Sequence, residues 1–398
     1  LYVLDEPSIG LHPRDMHRIV GIMHRLRNNG NTLVVVEHDP LVMTAADRIV
    51  DIGPGPGERG GQIVFDGSPS ELREASTLTG RYLSGQLQVE SPRPMPVADN
   101  TPRMLLEGVR ANNLKNISVS IPLGRLVCIT GVSGSGKSTL IQDVLYPAFL
   151  KQQGKPTDAP GEFDHLLGAE QLADIVMVDQ TPIGKTARSN PASYVGAYNA
   201  IRNVFAKTAI AKDRGYTAGT FSFNTGNGRC PTCGGTGFEH VEMQFLSDVY
   251  LRCPDCDGTR FRPEILEVKV EHRGREASIA DVLDMTVSEA LEFFSGMREI
   301  QRGLAPLADV GLEYVRLGQP VPTLSGGEAQ RLKLAGHLAT AARSGISTAK
   351  VAKKGSLFLF DEPTTGLHFD DVARLMKAFR KLLAAGHSLL IIEHNLDV

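Results

Sequence analysis

The chain has 398 residues, 41% of them apolar and 22% charged, with a formal net charge of −3. These proportions describe a globular protein with two or more domains, and exclude both a disordered polyelectrolyte and a uniformly basic nucleic-acid binder; polyanion contacts would need local patches. No run of about 18 apolar residues occurs and no charged flank precedes an apolar segment at the start, so the expectation is a cytoplasmic protein with no membrane partner.

An apolar strand over 1–4 opens the chain and runs into Asp5-Glu6-Pro7. A helix follows whose apolar face is Met16, Ile19, Val20, Met23 and Leu26, then a strand over 34–36 and the pair Glu37-His38. Residues 1–42 align without a gap to 357–398, at a constant offset of 356, with 15 identities. Asp361-Glu362-Pro363 and Glu393-His394 repeat the charged pairs, and Val372, Leu375, Met376, Phe379, Leu382 and Leu383 repeat the helix stripe. A shared apolar rhythm explains matching strands; it does not explain Asp-Glu-Pro and Glu-His at fixed spacing. The chain carries an internal duplication. Strand, helix, strand with apolar strands implies a parallel sheet covered on both faces, hence an α/β fold.

After the first copy come a strand over 48–53, a Gly/Pro turn over 53–61 and a strand over 62–66. The polar, proline-bearing stretch 85–103 reads as a linker. A second domain opens near Met104. It carries an apolar strand over 126–130, the loop Gly131-Val-Ser133-Gly134-Ser135-Gly136-Lys137-Ser138, and a helix from Thr139 to about Leu145. Strand, glycine loop and helix are the context in which G-x-x-x-x-G-K-[ST] binds phosphate. The glycines let backbone N–H groups converge on an anion at a helix N-terminus, Lys137 reaches the β/γ-phosphates, and the Ser138 hydroxyl suits Mg²⁺. Cys128, inside the preceding strand, reads as core.

Asp361 and Glu362 end an apolar strand. The first suits Mg²⁺ held through water, the second a general base toward the attacking water. His394 and Gln180 follow other strands, the histidine suited to the γ-phosphate and the glutamine to Mg²⁺ and water. Ser325-Gly326-Gly327-Glu328 heads a helix, with Ser325 as its N-cap. Nearly 190 residues separate this string from the phosphate loop, so an insertion sits between them. It contains Cys230-x-x-Cys233 and Cys253-x-x-Cys256, each pair followed by glycine. That spacing is a zinc pattern in a reducing compartment, with the glycines allowing the tight knuckle a tetrathiolate site needs.

Phosphate loop, glutamine, Leu-Ser-Gly-Gly-Glu, Asp-Glu-Pro and histidine, in that order, resemble an ABC-type ATPase. With a Cys₄ module between the loop and Ser325, the chain resembles the UvrA family of bacterial nucleotide excision repair. Supporting strings are Arg188-Ser-Asn-Pro-Ala192, Leu283-Asp-Met-Thr286, Thr323-Leu-Ser-Gly-Gly-Glu-Ala-Gln-Arg331 and Asp361-Glu-Pro-Thr-Thr-Gly-Leu-His368.

The resemblance implies a mostly parallel ABC core built from 104–147 and 321–398, and the end of another core in 1–84. It further implies an inserted signature domain over 148–320, with its zinc module at 228–262. Implied cofactors are ATP, Mg²⁺ and Zn²⁺; implied partners are damaged double-stranded DNA, UvrB and a second copy of the full-length protein. In such ATPases the signature string of one domain closes over the phosphate loop of another. Ser325–Glu328 would then serve a first-copy loop not found in this sequence, where Asp5, Glu6 and His38 stand without one. This reads as the C-terminal part of something longer, whose own turnover stays open. Phosphate contacts would come from Lys185, Arg188, Arg202, Lys207, Lys212 and Arg214, and from Arg229, Arg252, Arg260 and Arg262 around the zinc module. The segment between Phe238 and Tyr250 is expected as a hairpin toward DNA. The loop 341–355 reads as flexible and basic, a departure pointing to a UvrA-like subgroup that includes drug-resistance proteins. A transporter-type ABC subunit is the remaining reading, and the Cys₄ module argues against it.

Overall fold

The computed structural model describes residues 1–90, 94–181, 183, 188–241, 243, 249–344, 354–396 and 398. The chain opens with β1 (Tyr2–Asp5), α1 (Pro13–Asn28), β2 (Leu33–Val36), α2 (Pro40–Ala45), β3 (Ile49–Gly53), β4 (Gln62–Gly67), α3 (Pro69–Glu74) and α4 (Leu78–Leu83). It continues with β5 (Arg103–Val109), β6 (Ile117–Pro122), β7 (Leu126–Ile129), a π-type helical stretch Thr139–Leu145 leading into α5 (Tyr146–Gln152), β8 (His165–Leu167) and β9 (Asp174–Val178). Next are α6 (Pro191–Tyr194), α7 (Ala197–Ala206), α8 (Ala209–Asp213), β10 (Phe238–Val241), β11 (Val249–Arg252), α9 (Pro263–Leu266), β12 (Lys269–His272) and β13 (Arg275–Ser278). The last elements are α10 (Ile279–Asp284), α11 (Val287–Phe293), α12 (Arg298–Asp309), α13 (Gly326–Ser344), β14 (Ser356–Asp361), α14 (Phe369–Ala384) and β15 (Ser388–Ile392).

Two compact units result, residues 1–180 with 348–398, and 181–347. Compared with an insertion over 148–320, residues 148–180 pack with the first unit because β9 hydrogen-bonds along β14. Residues 321–344 pack with the second, where α13 lies on α12 and α6.

In the first unit β7, β15, β14 and β9 form a parallel sheet in that order. Apolar side chains on both faces make β14 and β15 strands that are stable only when covered. Leu357, Leu359, Leu390 and Ile392 share one core with Met104, Leu106 and Ile121 of the antiparallel β6–β5–β8 sheet, and with Leu140, Val144 and Phe149 after the glycine loop. On the helix stripe of α14, Phe379 lies with its ring 4.7 Å from that of Phe360.

The first copy repeats the second copy's register. Tyr2 faces Leu33 as Phe358 faces Leu389, and the series continues to Asp5 with Val36 and Asp361 with Ile392. The covered sheet expected here is not found among the described residues. β1 and β2 pair only with each other, and Val3 is 68% exposed where its counterpart Leu359 is 0%. Met16 and Met23 still anchor α1 against Leu4, Leu33 and Val35. Cys128 is also not core: β7 is an edge strand whose alternation turns Val127 and Ile129 inward and leaves Cys128 exposed.

The second unit is mostly helical, with α7, α12 and α13 enclosing Ile201, Phe205, Leu304, Leu307 and Leu332. Its helix starts are chemically fixed: Ser278 with Asp281, and Thr286 with Glu289, form reciprocal capping boxes. The hairpin expected between Phe238 and Tyr250 forms as antiparallel β10–β11, although 242 and 244–248 lie outside the described residues. Most of the loop 341–355 lies outside them too.

Phe379→Ala should cost about 3–5 kcal/mol, since a buried ring is lost from a packed aromatic contact. Urea unfolding would read this as a lower midpoint at unchanged slope.

Candidate functional site

The glycine loop lies between β7 and the helical stretch that begins at Thr139. Gly136 has φ +102°, and a methyl group placed there would meet Leu114 Cδ2 at 2.7 Å and Asn113 Oδ1 at 2.8 Å, so only glycine fits. Asn113 Nδ2 donates to Gly134 O at 3.0 Å, and Asn112 Nδ2 donates to Thr139 Oγ1 at 3.2 Å. This bracing from the β5–β6 connection left no trace in the motif. Lys137 Nζ donates to Gly131 O and Val132 O at 2.9 and 3.1 Å, so the ammonium lies across the loop. Ser133, Ser135 and Ser138 are exposed on it.

Each strand of the parallel sheet delivers one piece of chemistry at its C-terminal end. β7 leads to the glycine loop, β14 ends at Asp361 before Glu362, β15 runs into Glu393-His394, and β9 into Asp179-Gln180. Gln142 Nε2 donates to Asp361 Oδ2 at 2.5 Å. Burial raises the Asp361 carboxyl above its usual range, against the opposing pull of Gln142 and Lys137. Burial also raises Glu362, helped by the charges of Asp361 and Glu393. His394 is lowered by burial first, then by Lys137 and His12. Its Nε2 lies 3.5 Å from Glu362 Oε1. With the imidazole held neutral, this is a polar contact rather than an ion pair. His394 Nδ1 is buried without a hydrogen-bond partner among the described residues, as expected of a site shaped for a further polar group. The arrangement can polarise a water molecule between a carboxylate of raised basicity and a neutral imidazole, beside a cation and a ring of backbone amides. Gln180 is exposed beyond the end of β9.

Sequence reasoning passed over Glu393 itself. It is 4% exposed and accepts from Thr364 N at 2.9 Å, Thr364 Oγ1 at 2.5 Å, His394 N at 2.8 Å and Asn395 N at 3.0 Å. Glu37 does the same in the first copy, accepting from Ser8 N, His38 N and Asp39 N at 2.9, 2.8 and 3.0 Å. These glutamates bind the turn after one strand to the loop after the next, which fixes the height of both the carboxylate that follows the first strand and the histidine. Glu362 and Glu6 sit at φ +45° and +43°, left-handed backbone that glutamate rarely adopts.

The copies also interlock. The first-copy turn reaches the second-copy site: Ser133 Oγ donates to Gly10 O at 3.1 Å, and His12 packs edge-on to His394 with ring centroids 5.5 Å apart. In return His368 packs edge-on to His38 at 6.3 Å. A methyl group on Gly366 would lie 2.7 Å from Glu6 Oε2, and one on Gly10 3.6 Å from Glu362 Oε2. His12 and His368 also cap α1 and α14, so both turns are rigid. Asp5 is exposed at the end of β1.

In the second unit the ligand atoms of Cys230, Cys233, Cys253 and Cys256 lie within 4.8 Å of one another. Cys233 Sγ and Cys256 Sγ are 3.7 Å apart, close to the ~3.8 Å edge of a tetrahedron with Zn–S bonds of about 2.3 Å. Burial opposes ionisation of Cys233, but the N–H groups of Gly237 and Gly235 and the neighbouring thiols lower it to about 7. Cys256 is raised to about 12 by burial and by the charge of Cys233. This donor set fits zinc.

Ser325 Oγ accepts from Glu328 N at 3.2 Å, and Glu328 Oε2 accepts from Ser325 N at 2.8 Å, closing a capping box at the start of α13. Gly326 is exposed there and Gly327 half-buried. Tyr314 donates to Glu328 Oε1 at 2.7 Å.

Of the basic residues expected to meet phosphate, Arg188, Lys207, Lys212, Arg252 and Arg262 are exposed. Arg214 is exposed but pairs with Glu267 and donates to Glu264 O. Arg229 spends its donors on Gly226 O, Asn224 O and Gly234 O, and Arg202 on Ala218 O and Asn199. Arg260 is no surface contact at all: it is 2% exposed, enclosed by Phe223 and Phe238. Lys185 lies outside the described residues.

Glu393→Gln should lower stability by about 1.5–3 kcal/mol, because an amide cannot accept all of these bonds in a buried place; Glu393→Asp should recover little of it. Thermal unfolding of the two variants would check both values. Protein prepared without chelator should carry about one zinc per chain by elemental analysis, and Cys253→Ser should fall well below that.

No protein-family model matches the chain. A UvrABC system protein A from Thermus thermophilus is 52% identical over 399 residues, covering 100% of this chain and 40% of that protein. The one from Methanothermobacter thermautotrophicus is 50% identical over 402 residues, with the same coverage. The crystal structure of UvrA2 from Deinococcus radiodurans aligns with a TM-score of 0.86 at 45% identity, over 100% of this chain and 46% of that one. No helix among the described residues is long and apolar enough to cross a membrane. The chain spans about two fifths of the length of its curated relatives, and along all of its own length it belongs to the UvrA family.

Proposed function

We propose that the chain supplies the ATP-hydrolysing core of a UvrA-type protein, which binds damaged double-stranded DNA in nucleotide excision repair and passes the lesion to UvrB. One observation supports the ATPase part: three adjacent parallel strands, β7, β15 and β14, lead to Lys137, His394 and the Asp361-Glu362 pair at a single sheet end. The loop from Gly131 to Thr139 and Lys137 hold the nucleotide phosphates. Ser138, Gln180 and Asp361 would hold Mg²⁺, which when bound would neutralise charge on the β/γ-phosphates. Glu362 takes the proton of the attacking water, and His394 orients that water and the γ-phosphate. Ser325, Gly326, Gly327 and Glu328 form the signature that covers a phosphate loop of another domain, beside which Asp5, Glu6 and His38 would act.

The DNA part rests on kinship with the UvrABC proteins and on exposed Arg188, Lys212 and Arg252 in the unit that bears the metal module. Homodimerisation belongs to the full-length protein. A second reading, nucleotide and zinc binding without turnover, is favoured by one fact: the sequence holds two Asp-Glu/Glu-His sets but a single phosphate loop.

Steady-state hydrolysis separates the two. Glu362→Gln should reduce the rate at least ~100-fold while fluorescent ATP analogues still bind, and Lys137→Ala should lose binding. Equal rates for wild type and Glu362→Gln would end the hydrolysis reading, and binding by an inactive wild type would support the second. Glu362 must be ionised to act and its pKa is raised, so the rate should fall as pH drops through a midpoint above the ordinary glutamate range. Affinity for duplex DNA should fall with salt, and less steeply in Lys212→Ala.

A further inference from the structure

The buried arginine of the metal module has no part in the function proposed above. Arg260 lies four residues beyond Cys256, at φ +73°. Its backbone is part of the knuckles: its carbonyl accepts from Cys230 N at 2.9 Å, and its N–H bonds to the Cys256 sulfur. Its guanidinium turns inward. The Cζ atom lies 5.1 Å from the ring centroid of Phe223 and 5.8 Å from that of Phe238, and Nη2 donates to Gly318 O at 2.7 Å. A methyl group on Gly237 would approach Arg260 Cγ to 2.8 Å, so the stem runs in a slot kept open by that glycine.

Four thiolates around a divalent cation carry a net charge of −2, and this cluster is largely buried: Cys230, Cys253 and Cys256 are 2%, 0% and 8% exposed. Buried charge is retained where opposite charge and N–H donors surround it. The cluster has N–H donors from Gly235, Gly237 and Arg260. Burial pulls the Arg260 guanidinium down to about 10, and the charges of Tyr198, Cys233 and Cys256 act in the opposite direction. Aromatic faces on two sides hold the cation away from water.

We propose that Arg260 is a positioning residue of the metal centre: its caged guanidinium balances the charge of the tetrathiolate and clamps the module to the backbone at Gly318. Gly318 N in turn bonds Leu283 O and Ala192 N bonds Leu317 O, so the clamp grips a turn that is itself tied to two other segments. The metal stays because its charge is compensated from within, and the module stays in place because the same side chain ties it down.

This inference rests on the zinc reading of the four cysteines, and one experiment distinguishes the failure of each. Zinc-loaded wild type, Arg260→Met and Arg260→Lys are mixed with excess chromophoric chelator, and the metal-release rate is followed, with circular dichroism and thermal unfolding as controls for folding. Arg260→Met keeps the stem and removes the charge; release should accelerate at least ~10-fold, the usual scale for loss of a group supporting metal ligands. Arg260→Lys keeps the charge; it should release within ~3-fold of wild type. Equal acceleration in both variants would overturn charge compensation and leave only the shape of the guanidinium fork. Release from Arg260→Met at the wild-type rate would overturn the inference altogether. Should Arg260→Met fail to fold, Arg260→Lys still decides, since release ~10-fold faster than wild type contradicts the proposal. A wild type that carries no metal would instead refute the zinc reading.

Discussion

Much of the site hangs on one buried carboxylate and its copy. Glu393 joins the turn after β14 to the loop after β15, and Glu37 joins the corresponding turn and loop of the first copy. Without that bond the end of a parallel sheet is only a row of unrelated loops. With it, Glu362 and His394 keep a fixed separation, and the turn between them becomes stiff enough to project toward the other copy. Because the carboxylate is buried and fully used, the arrangement is intolerant: removing one acceptor leaves several backbone donors stranded.

The parts legible in the sequence were those that chemistry forces into a short string. A loop that must present backbone amides needs glycines at set places, and a tetrathiolate needs two short cysteine pairs. The duplication showed itself because Asp-Glu-Pro and Glu-His recur together, and the shared register of β1–β2 and β14–β15 follows from it. What stayed hidden depends on partners remote in sequence. Glu393 looked like the neighbour of a histidine, and its value lies in reaching back to Thr364, 29 residues away. Asn112 and Asn113 brace the glycine loop from the strand connection before it.

Arg260 was misplaced for a related reason. Beside a cysteine pair, an arginine resembles a surface cation, and charge pattern alone cannot reveal a cage built from Phe223, Phe238 and Gly318. Cys128 was misplaced because an apolar run reads as buried on both sides, whereas an edge strand has a side that alternation leaves open. The covered sheet expected of the first copy is likewise a property of neighbours: identical registers give Leu359 complete burial and Val3 wide exposure.

The left-handed backbone at Glu362 and Glu6 sets stability and chemistry against each other at one residue. Glycine there would relax the main chain, worth about 1 kcal/mol, and would erase the carboxylate aimed at the sheet end. A search for more thermostable variants that scores folding alone will therefore tend to select changes at these two positions, and each such change strips a carboxylate from the sheet end. Conversely, a glutamate that persists in such a conformation in both copies marks where the molecule accepts a poorer backbone in exchange for the placement of a carboxylate.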